Sequence, residues 1–205
     1  MRRALRAIAV SFCALACKSH GPAPFPREVA GFRFGISPEA FQTDCARLGR
    51  PSHVDMQSRG LRVIECNGVE VQPGWRWSVF AGFCESGTSL CEISYTATSE
   101  LSVRNFETLE GRFTHDYGAP AKRKSDFGAR PTEEQCAKRR GTAGTVWVWS
   151  DAGVASGSVV VLLDCRPKSP AASVLVTEAR ARVIKREYAK AHPEETRDAG
   201  EPPAE

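Results

Sequence analysis

The cysteines of this 205-residue chain constrain its fold more than any other feature of the sequence. There are eight, and the first two, Cys13 and Cys17, lie in an N-terminal segment that is typical of export. An even number of cysteines remains, and in an exported protein an even set favours disulfide bonding. The sequence therefore predicts three disulfide bonds. The six cysteines concerned are Cys45, Cys66, Cys84, Cys91, Cys136 and Cys165.

Residues 1–16 have the pattern of a signal peptide. Three arginines lie within the first six residues, and the uncharged run at 7–16 is too short to cross a membrane as a helix. Ala14-Leu15-Ala16 supplies small residues for cleavage immediately before Cys17. This arrangement resembles the lipobox of bacterial lipoproteins, which implies that Cys17 receives an acyl chain such as palmitate. We expect a membrane-anchored lipoprotein of the bacterial cell envelope, with plain secretion as the alternative.

The formal net charge of +4 is unevenly distributed along the chain. The signal peptide removes three arginines, and residues 191–205 hold five acids, one arginine and three prolines. That composition predicts a disordered acidic tail over 191–205. Residues 17–31 are rich in proline and show no period, so we interpret them as a tether that carries the lipidated Cys17.

Basic residues cluster at 122–124, 138–140 and 180–190. No aromatic interleaving or recognition module accompanies these clusters, so we expect no nucleic-acid partner. We interpret them as solvated faces. The alternative is contact with anionic lipid or lipopolysaccharide, near which a lipid anchor would hold the protein.

Signals for the start and the end of a helix occur twice in the sequence. Ser37 and Pro38 are typical of a helix start, an apolar stripe follows at 41, 45 and 48, and Gly49 ends the pattern. Ser102 begins a similar stripe at 106, 109, 113 and 117, which Gly118 ends. The two copies indicate an internal repeat.

Strand-like segments follow each predicted helix, at 61–66, 75–83 and 90–97 and again at 145–150, 158–165 and 172–177. We therefore predict an α+β fold of two tandem units, each a helix plus a three-stranded antiparallel meander. The units span 32–98 and 99–190, and helices cover the sheet. A short amphipathic helix over 178–190 is expected to rest on the sheet through Val183, Ile184 and Tyr188.

The segment Gly35-Ile36-Ser37-Pro38-Glu39-Ala40-Phe41, which ends in Leu48-Gly49-Arg50-Pro51, resembles the helix motif of small bacterial envelope domains of the SmpA/OmlA type. The tandem helix-then-meander order is similar to that of β-lactamase inhibitor proteins. The first resemblance implies a lipid-anchored protein that acts as a partner in outer-membrane protein assembly. The second implies a sheet that binds an enzyme. In the second copy Tyr117 replaces the leucine of the motif.

Six cysteines allow 15 pairings, and the sequence alone does not choose among them. One pairing is sensible from their positions. Cys45 lies on the inner stripe of the first helix and Cys66 lies on a nearby strand, so a bond between them is sensible. Cys84 and Cys91 flank a loop of hairpin size. The remaining pair is Cys136 with Cys165.

Metal and catalytic sites find little support in the sequence. There is no C-x-x-C, and two of the four histidines lie in the predicted tether and tail. The hydrolase, metalloprotease and nucleotide-binding motifs are absent, so we expect no cofactor and no enzyme activity. Cys45 and His115 could form a nucleophilic pair only if the Cys45 thiol is free.

Two Trp-x-Trp pairs are the candidate binding residues. Trp75 and Trp77 share a face opposite polar residues, which favours the core for them. Trp147 and Trp149 alternate with valines, so either set could be the exposed one, and exposed tryptophans would suit a protein interface. We therefore expect a protein-binding module with an unidentified envelope partner. The alternative is a structural or surface lipoprotein that contacts anionic lipid.

Overall fold

A computed structural model describes residues 23–72, 74–98, 102–127, 130–138, 143–149, 156–165 and 170–197. The predicted signal peptide, Cys17 and residues 198–205 of the predicted tail lie outside these ranges. The strands are β1 (Glu28–Val29), β2 (Phe32–Arg33), β3 (Arg50–Ser58), β4 (Leu61–Gln72), β5 (Trp75–Cys84), β6 (Ser89–Thr98), β7 (Lys122–Ser125), β8 (Ala143–Trp149), β9 (Gly157–Cys165) and β10 (Ala171–Glu178). The helices are α1 (Pro38–Leu48), α2 (Ser102–Tyr117), α3 (Glu133–Lys138), α4 (Ala179–Ala191) and α5 (Pro193–Arg197).

The prediction of an α+β fold of two tandem helix-plus-three-strand units is wrong. The described residues are mostly β-structure, and eight antiparallel strands form one sheet in the order β3-β4-β5-β6-β10-β9-β8-β7. Four strands rather than three follow α1. The last of them, β6, pairs with β10 from Glu92 opposite Thr177 to Thr98 opposite Ala171. The sheet is therefore continuous across its middle. The small strands β1 and β2 form a separate two-stranded sheet.

The two missed strands of the large sheet, β3 and β7, are its edges. Most side chains of β3 are exposed, and β7 begins with three successive cations, Lys122, Arg123 and Lys124. Exposed strands lack the alternation of apolar and polar residues by which strands are recognised in a sequence. Charged side chains on an edge also discourage pairing with another chain.

The helices α1 and α2 cover one face of the large sheet. On that face, six residues that are cross-strand neighbours form a row across six strands, and each of them is buried. The row is Cys66, Val79, Tyr95, Val174, Val161 and Trp147. Phe41 of α1 and Phe106 of α2 pack into the same apolar cluster. The expectation that helices cover the sheet is thus confirmed for this face.

Both repeated helices are confirmed with their predicted ends. Before α1, the Ser37 hydroxyl accepts a hydrogen bond from the Ala40 amide at 3.3 Å. After α2, Gly118 has a φ of 75°, a left-handed conformation that glycine adopts without steric cost. A serine cap and a glycine stop therefore act here as the sequence predicts.

The start of α2 is capped by a residue that is distant in sequence. The Glu133 carboxylate accepts hydrogen bonds from the amides of Val103 and Arg104 at 3.1 and 2.9 Å. A carboxylate at a helix N-terminus satisfies free amides and complements the helix dipole. Glu133 belongs to α3, a helix that the sequence patterns did not predict.

The C-terminal helix is confirmed, and it lies on the opposite face of the sheet from α1 and α2. Ala181 of α4 packs with Leu61, Cys84 and Cys91 in a second small cluster, and Ile184 contacts that cluster. The prediction is wrong for Val183, which is 56% exposed. The stripe of α4 that faces the sheet is therefore narrower than expected.

The predicted tether and tail extend too far into the folded part of the chain. Phe25 packs on Phe34 with ring centroids 4.8 Å apart, so the fold already includes residues of the predicted tether. At the other end, α4 and α5 continue the chain in helices through residue 197, so the prediction of disorder is wrong for 191–197. The Tyr188 hydroxyl donates to Glu195 at 2.7 Å and joins these two helices.

Candidate functional site

The six cysteines form three disulfide bonds, which confirms the predicted number, and the pairing is the one that their positions made sensible among the 15 possibilities. Cys45 bonds to Cys66, Cys84 bonds to Cys91, and Cys136 bonds to Cys165. Disulfides persist in oxidising surroundings, so these bonds indicate an extracellular or periplasmic location. Because Cys45 is bonded, it is not available as a nucleophile beside His115.

The tryptophans belong to the core and not to an exposed surface. Trp147 is 5% exposed and Trp149 is fully buried. Phe106 of α2 contacts Trp147 with ring centroids 5.2 Å apart, and the Trp149 indole donates to the Gly118 carbonyl at 2.8 Å. Trp77 is buried as expected, and Trp75 packs beside it. The hypothesis of an exposed tryptophan surface on β8 is therefore wrong.

The residues that alternate with these tryptophans lie on the other face of the sheet. Five half-buried aliphatic side chains are adjacent there, and we call them the aliphatic patch. The patch consists of Val146, Val148, Val160, Leu162 and Leu175. Register places Leu175 opposite Val160 and Val160 opposite Val148, and it places Leu162 opposite Val146. The patch therefore spans three neighbouring strands.

Lysines border the aliphatic patch at the edge of the sheet. Lys122 pairs in register with Val148, and Lys124 pairs with Val146. Both lysines are exposed, and within the described part of the chain neither makes a salt bridge. The outer border of the patch is therefore cationic.

A polar band borders the patch on its inner side. Ser94 lies opposite Leu175, and Thr96 lies opposite Ser173. The hydroxyls of Thr96 and Ser173 lie 3.0 Å apart and form a hydrogen bond. These side chains offer hydroxyl groups beside an apolar surface, which is the arrangement of an interface core with a polar rim.

Beyond the polar band the same face carries a second apolar region. A groove of about 280 Å³ lies between β3 and β6, and its apolar lining is Val54, Met56, Val63 and Phe80. Met56 is 51% exposed. The face that α1 and α2 leave uncovered thus presents apolar side chains on both sides of its polar centre.

Three cations of α4 have acidic partners, whereas Lys122 and Lys124 of β7 make no salt bridge within the described residues. Lys185 donates to both oxygens of Glu92 at 2.7 Å, and Arg180 forms ion pairs with Glu85 and Glu178. Lys190 pairs with Glu187 at 2.8 Å. The basic cluster at 180–190 is therefore largely neutralised by its neighbours. Arg139 and Arg140 of the second cluster lie outside the described residues.

His115 is exposed beside Asp116, with Nδ1 and the carboxylate oxygen 3.0 Å apart. No group of three or more metal-ligating side chains occurs among the residues that the structure describes. Within those ranges no helix has the length and apolar character needed to cross a membrane.

No known protein family, no curated protein and no solved structure matches this chain.

Proposed function

We propose that this protein is a lipid-anchored component of the bacterial cell envelope that binds another protein through the aliphatic patch. The observation that carries the proposal is an aliphatic surface of three strands on the face opposite α1 and α2. Contiguous apolar surface on a folded protein marks an interaction site more often than scattered apolar residues do. The anchor is the acylated Cys17 that the lipobox resemblance implies.

The residues that border the patch indicate which chemical groups the partner presents. Lys122 and Lys124 favour acidic groups opposite them, and the hydroxyls of Thr96 and Ser173 favour polar groups on the inner side. The same lysines disfavour strand pairing at β7, so the partner docks on the face of the sheet and not on its edge. We expect a partner with an apolar surface that is flanked by carboxylates.

A second candidate function is contact with anionic lipid headgroups. The observation that favours it is the pair Lys122 and Lys124, which make no salt bridge within the described ranges. Lysines beside an aliphatic surface suit a membrane interface, where each contributes about 1 kcal/mol near an anionic leaflet. The neutralised cations of α4 limit this function to the β7 end of the sheet.

A comparison of two substitutions separates these functions. The double substitution Val160→Thr with Leu162→Thr makes the patch polar and keeps side chains that suit strands. Val183→Thr, at an exposed site on α4, is the matched control. Each protein is immobilised and exposed to detergent-solubilised envelope proteins, and each is mixed with vesicles of phosphatidylglycerol and phosphatidylethanolamine.

The proposal predicts that a protein is recovered in stoichiometric amount by the wild type and by the control. The double variant should recover at least tenfold less, which corresponds to a loss of about 1.4 kcal/mol or more. Equal recovery by all three proteins would refute the role of the patch. Salt-sensitive vesicle binding without any recovered protein would support the lipid function instead.

The anchor has its own test. The full chain is expressed in a bacterium, and the mass of its N-terminal peptide is measured. The proposal predicts a peptide that begins at Cys17 and carries acyl mass, together with extraction of the protein only by detergent. An unmodified Cys17 in a protein released by buffer alone would contradict the anchor and favour secretion.

A further inference from the structure

A cleft of about 410 Å³ lies on the helix-bearing face of the sheet, away from the aliphatic patch. One wall comes from the end of α1 and from the β1–β2 turn, and includes Leu48 and Val29. The other wall comes from the last turns of α2. The cleft thus lies where the two repeated helices end near each other. Its volume is in the range of small-molecule sites.

Part of the cleft lining is apolar. Val69 of β4 and Phe113 of α2 belong to this part and are buried, and Leu48 and Val29 lie beside them. The Phe113 ring stacks on Tyr117 with ring centroids 6.0 Å apart, which fixes the position of both aromatic rings. An aromatic or branched aliphatic group would fit this lining.

Tyr95 brings a polar group into this apolar lining. Its side chain is 1% exposed, and its hydroxyl makes no hydrogen bond with the residues that the structure describes. Burial raises the pKa of Tyr95, so its hydroxyl stays protonated at neutral pH and can donate a hydrogen bond. Tyr95 lines the cleft, so this hydroxyl is available to an acceptor that enters it.

Arg112 supplies a positive charge at the same end of the cleft. Its charge lowers the pKa of both Tyr95 and Tyr117, although burial raises each more, so the guanidinium acts on both hydroxyls. Arg112 is exposed, and no salt bridge joins it to an acid in the described ranges. Tyr95, Tyr117 and Arg112 thus line one cleft, beside the apolar part of its surface.

Acidic residues on the rim restrict the charge of a ligand. Glu70 accepts a hydrogen bond from the Gly74 amide at 2.8 Å, and Asp116 lies 3.0 Å from the ring of His115. Glu28 is exposed at the same rim. These negative charges oppose a dianion such as phosphate, whereas one carboxylate can be balanced by Arg112.

We infer that this cleft binds a small organic carboxylate whose apolar body rests on Phe113 and Val69. The carboxylate accepts hydrogen bonds from Arg112 and from the Tyr95 hydroxyl, and both are strengthened by the negative charge of the acceptor. Either a free acid or the C-terminal residue of a peptide presents this chemistry. The inference is independent of the aliphatic patch, which lies on the other face of the sheet.

Titration calorimetry of the folded protein with N-acetylphenylalanine tests the inference. A ligand of this size in such a cleft is expected to bind with a Kd of about 1 mM. N-acetylphenylalanine amide has the same body without the charge and should bind at least tenfold more weakly. The tripeptide Ala-Ala-Phe distinguishes the sources, because tighter binding than N-acetylphenylalanine would indicate a peptide C-terminus and weaker binding a free acid.

Three variants locate the binding site. Tyr95→Phe removes only the hydroxyl, and Arg112→Gln removes the charge from an exposed position, so each should weaken binding of the acid at least fivefold. Arg104→Gln changes another exposed arginine of α2 outside the cleft and should leave binding unchanged. The inference is overturned if the acid does not bind, if acid and amide bind equally, or if Arg112→Gln binds like the wild type.

Discussion

Glu110 is a carboxyl group that the protein holds in its interior, where the residue is 6% exposed. One oxygen accepts a hydrogen bond from Arg130 at 2.6 Å, and the other has no partner among the described residues. Arg130 and Arg123 both lie over the Trp147 ring, 5.1 and 4.7 Å from its centre. The basic cluster at 122–124 thus contributes one arginine to the cover of a core tryptophan and directs its lysines to the other face.

Burial raises the pKa of Glu110, although Arg130 and Arg123 act to lower it. The Glu110 carboxyl therefore binds its proton more tightly in the folded protein than in the unfolded chain. As a result, the unfolding free energy falls as the pH rises from the ordinary pKa of about 4.5 through the raised pKa. Glu110→Gln removes the titration. We expect the unfolding free energy of this variant, minus that of the wild type, to increase with pH above about 4.5. Urea unfolding at several pH values measures this difference.

A second substitution checks the direction of the effect. Arg130→Gln leaves the buried carboxylate without its cationic partner and should reduce stability at neutral pH by about 1–3 kcal/mol. The loss should shrink as the solution is acidified, because Glu110 becomes neutral. A stability difference that does not change with pH, in either variant, would contradict the assignment.

At the scale of elements, the sequence predicts well wherever the local pattern and the tertiary environment agree. The caps of α1 and the stop of α2 depend on residues within one turn, so Ser37, Gly49 and Gly118 were sufficient to place those helix ends. The six inner strands are buried and therefore carry alternating or continuous apolar residues, a pattern that can be recognised in the sequence. The edge strands β3 and β7 and the short helix α3 bury few side chains, so no period marked them.

The element α3 is fixed to the protein by two long-range contacts. Glu133 caps α2, and Cys136 bonds to Cys165 across a separation of 29 residues. Cys84 and Cys91 close a separation of only 7 residues. In the chain-entropy description, a disulfide that closes a longer loop restricts the unfolded chain more.

We therefore expect the two disulfides to differ in their effect on stability. The double substitution Cys136→Ala with Cys165→Ala should reduce the unfolding free energy by about 2–4 kcal/mol. The matched pair, Cys84→Ala with Cys91→Ala, should cost about 1 kcal/mol less because its loop is shorter. Denaturant unfolding without reductant gives both values. An equal or reversed order would show that native packing around α3, and not loop length, decides the cost.

At the scale of the whole molecule, the pairing of β6 with β10 decides the architecture. These strands are separated in the chain by α2, β7, α3, β8 and β9. No local pattern records which distant strand a buried strand will pair with. The sequence therefore suggested two units of three strands each where one sheet of eight strands forms. The repeated helices nevertheless lie together on one face because both carry their apolar stripe toward that sheet.

The same limit explains what could be predicted of the candidate site. The sequence showed that both faces of β8 are apolar, and it left open whether the valines, the tryptophans or neither set faces outward. The helix α2 decides the outcome, because Phe106 and Phe113 pack on Trp147 and Trp149 and leave Val146 and Val148 on the other face. The cleft at the ends of α1 and α2 depends on their relative position, which no motif in the chain encodes.

Photo-crosslinking tests the proposed interface directly. A benzoylphenylalanine residue is placed at Val148, within the aliphatic patch, or at Val183 on α4 as control, and each full-length protein is irradiated in intact envelopes. We expect a discrete protein adduct from position 148 and none from position 183. Equal labelling at both positions, or adducts of lipid alone at position 148, would contradict a protein-binding role for the patch.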